Sequence, residues 1–216
     1  MKTRNLYLVR HGQSIYNLEN RFTGWKDVEL TELGEKQAKE AGEILANTNF
    51  DYCYISNLKR ARDTLGIILN EINQSPEIEN NIALNERDYG NLIGQNKAEA
   101  AKKFGADQVQ IWRRSFDVPP PGGESLKMTA ERTLPYYKST ILPKVLDSNN
   151  IIISAHGNSI RAIVMEIFSL TPTQILKTEI GWCEPWKISY NENGELSNYE
   201  IIARASEPSS SYLYQK

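Results

Sequence analysis

Histidine and cysteine are both scarce in this chain, with two of each among 216 residues. Cys53 and Cys183 are too few for a disulfide framework, and neither lies in a C-x-x-C pattern. Reduced thiols and a cytoplasmic setting are therefore expected. Two histidines and two cysteines make no zinc cluster, and no metal is expected. No apolar run is long enough to span a bilayer, and Met1–Asn5 leads to the first apolar run without the hydrophobic stretch of a signal peptide. A charge excess of one sign is missing too. The net charge is -2, so no global field argues for nucleic acid, and neither nucleic acid nor a membrane is expected as a partner. The length suits one α/β domain with a sizeable core. That domain is expected over residues 1–204, followed over 205–216 by a Ser-rich, mobile tail.

What the chain does have is one repeated design. Leu6-Tyr7-Leu8-Val9-Arg10-His11-Gly12 is an apolar, β-prone run that ends in His-Gly. Asn150 to Ser159 repeats it, with Ile151-Ile152-Ile153 running into Ala155-His156-Gly157. Each reads as a buried strand. If the two are parallel in one sheet, both imidazoles meet at its carboxyl edge, where open α/β sheets bind ligands.

Between and after them the pattern alternates. Thr31 is placed to cap a helix to about Ala46, with Leu33, Ala38, Ala41 and Leu45 on one face. Asp51–Ser56 reads as a strand, and Asn57 as the cap of a helix over Leu58–Ile72. Lys59 and Arg60 fall in that helix's first turn, where cations are disfavoured. A bound anion would remove the conflict, as would side chains that reach into water. Ile82–Gly90 resembles a strand entering a charged loop, and Asn96–Gly105 and Ala106–Phe116 resemble short helices. Pro119–Gly123 is a loop. Ser125 begins a helix to about Leu146 that Pro135 should kink. A helix over Asn158–Phe168 and two strands, Pro185–Tyr190 and Ser197–Ala203, joined at Asn193-Gly194, complete the pattern.

Arg10, Arg60, Arg113 and Arg114 are fixed cations near expected loops, and guanidinium forks suit phosphate and carboxylate oxygens. A neutral imidazole among arginines has its pKa pushed down, which keeps His11 nucleophilic near neutral pH. Phosphoryl transfer needs an in-line nucleophile and charge stabilisation around the equatorial oxygens, which two histidines and two arginines can supply without a metal. Glu86 is the best-placed proton carrier. From spacing alone, Glu86-Arg87 reads equally well as a surface ion pair, and Arg113-Arg114 as a solvated basic patch.

Leu8-Val9-Arg10-His11-Gly12 resembles the signature of the histidine phosphatase superfamily. Asn20–Trp25, Leu84–Gly90, Asn96–Glu99, Trp112–Arg114 and Ala155–Ser159 together resemble its 2,3-bisphosphoglycerate-dependent phosphoglycerate mutases, in order from about Leu6 to Phe168. The resemblance implies a three-layer α/β/α sandwich on a mostly parallel mixed sheet. It implies interconversion of 3-phosphoglycerate and 2-phosphoglycerate, primed by 2,3-bisphosphoglycerate, in a homo-oligomer, dimer or tetramer. His11 would be phosphorylated. Arg10, Asn17, Arg60 and His156 would hold the phosphoryl group, helped by Gly157. Thr23, Gly24 and Asn158 would line the substrate, and Glu86 would exchange a proton with its hydroxyl. Arg87, Tyr89, Lys97, Arg113 and Arg114 would bind the carboxylate and the second phosphate. The chain departs from the family at Ile180-Gly181-Trp182-Cys183-Glu184-Pro185, which replaces an Ile-Pro-Thr-Gly-like segment, and in the short loop between Phe116 and Ser125. A phosphatase using the same site and a non-catalytic binding module are the alternatives.

Overall fold

The two His-Gly strands lie side by side. In the computed structural model, which describes residues 4–147 and 149–215, β1 (Asn5–Arg10) pairs parallel with β4 (Asn150–Ala155). The register sets Asn5 opposite Asn150 and Arg10 opposite Ala155, so both histidines leave the sheet at one edge. Met1–Thr3, Ser148 and Lys216, the last at the end of the expected tail, lie outside the described residues.

β2 (Tyr52–Ile55) and β3 (Glu77–Asn80) extend the parallel set beyond β4, and β5 (Trp186–Tyr190) and β6 (Leu196–Ile201) add an antiparallel hairpin beside β1. The order is β3-β2-β4-β1-β5-β6. Alternation along β1 assigns the two faces. Leu6 and Leu8 join Ile151, Ile153, Tyr137, Ile141, Ile160 and Ile163 on one side, beneath α6 (Leu126–Tyr136) and α8 (Gly157–Ile167). Tyr7 and Val9 join Ala38, Ala41, Leu45, Leu65 and Ile68 on the other, beneath α2 (Glu32–Leu45) and α3 (Lys59–Glu71). This is the expected three-layer α/β/α arrangement on a mostly parallel mixed sheet. No helix among the described residues is long and apolar enough to cross a membrane.

Several local expectations change. Leu33 is 38% exposed, because the inner face of α2 is carried by Gly34, Gln37, Ala38, Ala41 and Leu45. Asn57 does not cap α3. Its own N–H is held by Asn85 Oδ1 at 3.0 Å, and a distant carboxylate, Asp27 Oδ1, takes the Lys59 N–H at 2.8 Å. Ile82–Leu84 is a 3-10 turn and not a strand. The strand precedes it as β3, whose Glu-Ile-Glu-Asn sequence hides on an exposed sheet edge where charge is tolerated. The long helix is broken as expected, but by a π-helical turn over Tyr137–Ile141 before α7 (Leu142–Leu146). Pro135 offers no N–H to Glu131, and the ladder reforms at wider spacing. The C-terminal segment lies against the body: Tyr212 bridges Glu179, and the Glu184 carboxylate accepts the N–H groups of Ser210 and Ser211 at 2.9 and 2.8 Å.

Candidate active site

The carboxyl edge of β1 and β4 opens into a cleft of about 170 Å³. Its floor begins with His11, whose N–H donates to Ala155 O at 3.1 Å, in continuation of the β1–β4 ladder. The residue after it is glycine for a packing reason: a Cβ on Gly12 would lie 2.3 Å from the carbonyl oxygen of Gly34 in α2. His11 Nδ1 lies 2.6 Å from Gly12 O. A carbonyl only accepts, so Nδ1 carries the proton and Nε2 keeps its lone pair. That lone pair faces Arg60, whose Nε–H donates to it at 3.3 Å. Burial, then the charges of Arg60 and Arg10, holds His11 well below the usual imidazole range. His11 is thus a neutral, buried base with its reactive nitrogen turned toward a guanidinium.

Arg60 resolves the conflict at the start of α3. It is 1% exposed and anchored by the carbonyls of Gly24 and Lys26 at 2.9 and 3.1 Å, while Lys59 turns outward to Asp63 and Glu29. Burial lowers the Arg60 pKa to about 10, against the raising effect of Glu86 and Asp27. Arg10 donates through Nη1 to Ile180 O at 2.8 Å and lies 5.3 Å over the Trp182 ring, so the divergent 180–185 segment is what holds it. Burial lowers its pKa as well.

His156 sits beside His11, with ring centroids 5.0 Å apart. Its Nε2 meets Ser56 Oγ at 2.7 Å, and its buried Nδ1 has no hydrogen-bond partner among the described residues. Arg10 Nε and Arg87 Nε are orphaned in the same way. Buried nitrogens are rarely left unpaired. Two of these belong to side chains that line the cleft, and the third to the ring next to His11. An anion seated there would satisfy them.

Glu86 is 9% exposed, and its Oε1 accepts from Arg87 N at 2.8 Å and from Asn158 N and Nδ2 at 3.1 and 3.0 Å. It makes no ion pair with the Arg87 side chain. That guanidinium turns to Tyr89 Oη and Arg113 O at 2.8 and 3.2 Å, so the surface-pair reading of Glu86-Arg87 does not hold. Asn17 Oδ1 is occupied by the N–H and Oγ of Ser14 in a capping box, which leaves its NH₂ for the cleft. Thr23, Gly24, Tyr89, Gly157 and Asn158 also line the cleft.

The rim comes from helices. Lys97 opens α4 (Lys97–Phe104), and Arg113 and Arg114 close α5 (Ala106–Arg114). All three line the cleft, so the Arg113-Arg114 pair is more than a solvated patch. Burial, then Arg113, Arg10 and Arg114, lowers the Lys97 ammonium to about 8. The cleft therefore gathers the expected residues, with His156 just behind its wall. It also contains residues that sequence reading gave no role: Arg21, Arg161 and Glu179. Arg161 carried a signal, being a lone cation within the apolar Ile160–Val164 stretch of α8. Glu179 and Trp182 carried none. Counting all lining side chains, eight cations face two carboxylates. No group of three or more His, Cys, Asp or Glu among the described residues could hold a metal ion.

The family model for the histidine phosphatase superfamily, branch 1, matches residues 6–199. The chain is 54% identical to a 2,3-bisphosphoglycerate-dependent phosphoglycerate mutase of Bradyrhizobium diazoefficiens, over 90% of this chain and 95% of that one. It is 55% identical to the protein of that name from Nitrobacter hamburgensis, over 91% and 96%. Among solved structures, a mycobacterial glucosyl-3-phosphoglycerate phosphatase complexed with VO3 superposes with a TM-score of 0.79 at 25% identity, covering 93% of this chain and 98% of that one. The chain belongs to the histidine phosphatase superfamily and, within it, to the family of 2,3-bisphosphoglycerate-dependent phosphoglycerate mutases.

Proposed function

We propose that this enzyme interconverts 3-phosphoglycerate and 2-phosphoglycerate through phospho-His11. The observation that carries the reading is the second cluster of cations. A phosphatase needs to grip only the phosphoryl group, whereas Lys97, Arg113 and Arg114 enter the same cleft from α4 and α5, not from the sheet edge and α3 that supply Arg10 and Arg60, and suit a substrate with further anionic groups. Bound 2,3-bisphosphoglycerate supplies the phosphoryl group that primes His11. The orphaned Arg10 Nε and Arg87 Nε fit a ligand that is anionic at both ends.

Transfer from phospho-His11 to the free hydroxyl of 3-phosphoglycerate breaks the N–P bond and forms the P–O bond, while Glu86 takes the hydroxyl proton. In the return step His11 Nε2 attacks the other phosphoryl group, the P–O electron pair stays on the leaving oxygen, and Glu86 gives its proton back. The Nδ1 proton of His11, held by Gly12 O, keeps Nε2 the nucleophile in both directions. The Ser56 hydroxyl has one proton and two acceptors within reach, His156 Nε2 at 2.7 Å and Asn85 Oδ1 at 3.1 Å, and its choice between them sets the His156 tautomer. When the Ser56 hydroxyl donates to Nε2, Nδ1 bears the proton and can donate to the phosphoryl oxygens as charge builds on them. Arg10, Arg60 and Asn17 share that charge.

Arginines rather than a metal are read as neutralising the phosphate, so activity should survive EDTA. Loss with chelator and rescue by manganese would sink this mechanism. A homo-oligomer and a cytoplasmic setting go with the reading, and light scattering tests the first. The deciding assay is enolase-coupled turnover of 3-phosphoglycerate with and without catalytic 2,3-bisphosphoglycerate. Bisphosphatase activity without isomerisation would replace the mutase by a phosphatase.

A further inference from the structure

An anion cleft should repel carboxylates, yet one sits on its rim. Glu179 Oε1 lies 3.1 Å from Arg114 Nη1, and Oε2 lies 2.7 Å from Arg161 Nη2. The two arginines differ in how they are held. Arg161 is nearly buried, with a side chain 11% exposed, and its Nε also donates to Thr178 O at 3.0 Å. Arg114 is 42% exposed at the end of α5, and its hydrogen bond to Glu179 is its only side-chain one among the described residues. The carboxylate itself is fixed in place. Glu179 pairs through its backbone with Tyr212, N to O at 3.1 Å in both directions, and the next carbonyl, Ile180 O, anchors Arg10.

We infer that Glu179 is an internal counter-ion that occupies the place of the substrate's second anionic group. It is a specificity-determining residue, resting on the reading of the cleft as a site for phosphorylated anions. When a ligand with two anionic groups enters, one group settles on the His11–Arg60 floor and the other takes Arg114 from Glu179. Arg161 keeps Glu179 paired, so the released carboxylate is not left stranded. A ligand with a single phosphate reaches the floor only and leaves the Glu179–Arg114 pair intact. The pair thus raises the threshold for all anions at the rim and is opened only by those that can replace it.

The test is calorimetric binding of pyrophosphate, 3-phosphoglycerate and orthophosphate to wild type, Glu179→Gln, Glu179→Asp, Arg114→Ala and the Glu179→Gln/Arg114→Ala double variant, each checked for folding by circular dichroism. Glu179→Gln should bind pyrophosphate and 3-phosphoglycerate about fivefold more tightly, the scale of a partly exposed ion pair, and orthophosphate within about twofold of wild type. The gain should vanish when Arg114 is already Ala, which a merely structural role for Glu179 would not require. Glu179→Asp keeps the charge and should stay within about twofold of wild type. Unchanged or weaker pyrophosphate binding in folded Glu179→Gln overturns the inference. So does an Asp variant as tight as Gln, or a gain that persists without Arg114. If pyrophosphate tightens as expected while 3-phosphoglycerate is neither bound nor turned over, the counter-ion stands and the mutase reading falls.

Discussion

The floor and the rim of the cleft are built on different terms. The floor side chains His11, Arg60 and His156 are buried, Arg10 is half-buried, and all four come from strand ends or from the start of a helix packed on the sheet. Each is tied to backbone or to a neighbouring side chain: His11 to Gly12 O, Arg10 to Ile180 O, Arg60 to Gly24 O and Lys26 O, His156 to Ser56. The rim side chains Lys97, Arg113 and Arg114 stand at helix termini, and Arg114 is balanced by an ion pair that a ligand can replace. The floor is set before the substrate arrives, as chemistry requires. The rim is adjustable and selects what reaches the floor. Losses at the floor should therefore fall on the rate of transfer, and losses at the rim on affinity and on the choice of acceptor.

The largest expected effect is at the floor. His11→Ala should abolish turnover together with acid-labile, base-stable labelling by 2,3-bisphosphoglycerate. Label retained in that variant would reverse the roles of the two histidines. His156→Ala should fold and still take label, but transfer about 10²–10³-fold more slowly, the usual effect of removing one donor to developing charge. A fall in affinity with kcat intact would place His156 on the wrong side of the comparison.

Arg114→Ala belongs to the rim. A lost charge-assisted contact weakens substrate binding by about 1.5–3 kcal/mol, less whatever the free enzyme gains by no longer having the Glu179 pair to break. Its signature is the ratio of mutase to bisphosphatase rate, which should fall because hydrolysis needs only the floor. An unchanged ratio removes the distinction between the regions.

The smallest effect is one of pH. Burial, first, and the neighbouring arginines hold the Lys97 ammonium at about 8. Below that pH it is charged and attracts the substrate, and as the pH rises through it the charge is lost. KM should therefore rise above about pH 8 while kcat changes little, and Lys97→Arg should remove this limb because a guanidinium stays protonated there. His11, held well below 6.5, stays neutral and Arg60, lowered only to about 10, stays charged near pH 8, so the floor adds no titration of its own there. A basic limb in kcat rather than KM would contradict the assignment.

Most of the floor was legible in the residues. Two apolar runs, each ending in His-Gly, announce two buried parallel strands, and β1 and β4 pair in the register that brings the histidines together. The helix caps at Thr31 and Ser125 were legible for the same local reason, a side-chain oxygen next to an orphan N–H. β3 was not, because an edge strand with both faces exposed has no apolar alternation to read. The cap of α3 was not either, because it is supplied by Asp27, far away in sequence.

By itself the sequence determined the pair of His-Gly strand ends and the kinds of charge gathered around them, since each follows from a short run of neighbouring residues. Only the tertiary structure decided which nitrogen of His11 is free, that Ser56 lies against His156, that Trp182 holds Arg10 and that Glu179 stands between Arg114 and Arg161. Those relations join side chains up to 172 positions apart, as in the pair Arg10–Trp182. No local periodicity encodes them. They exist because a twisted sheet and the loops at its edge bring distant side chains within hydrogen-bonding distance.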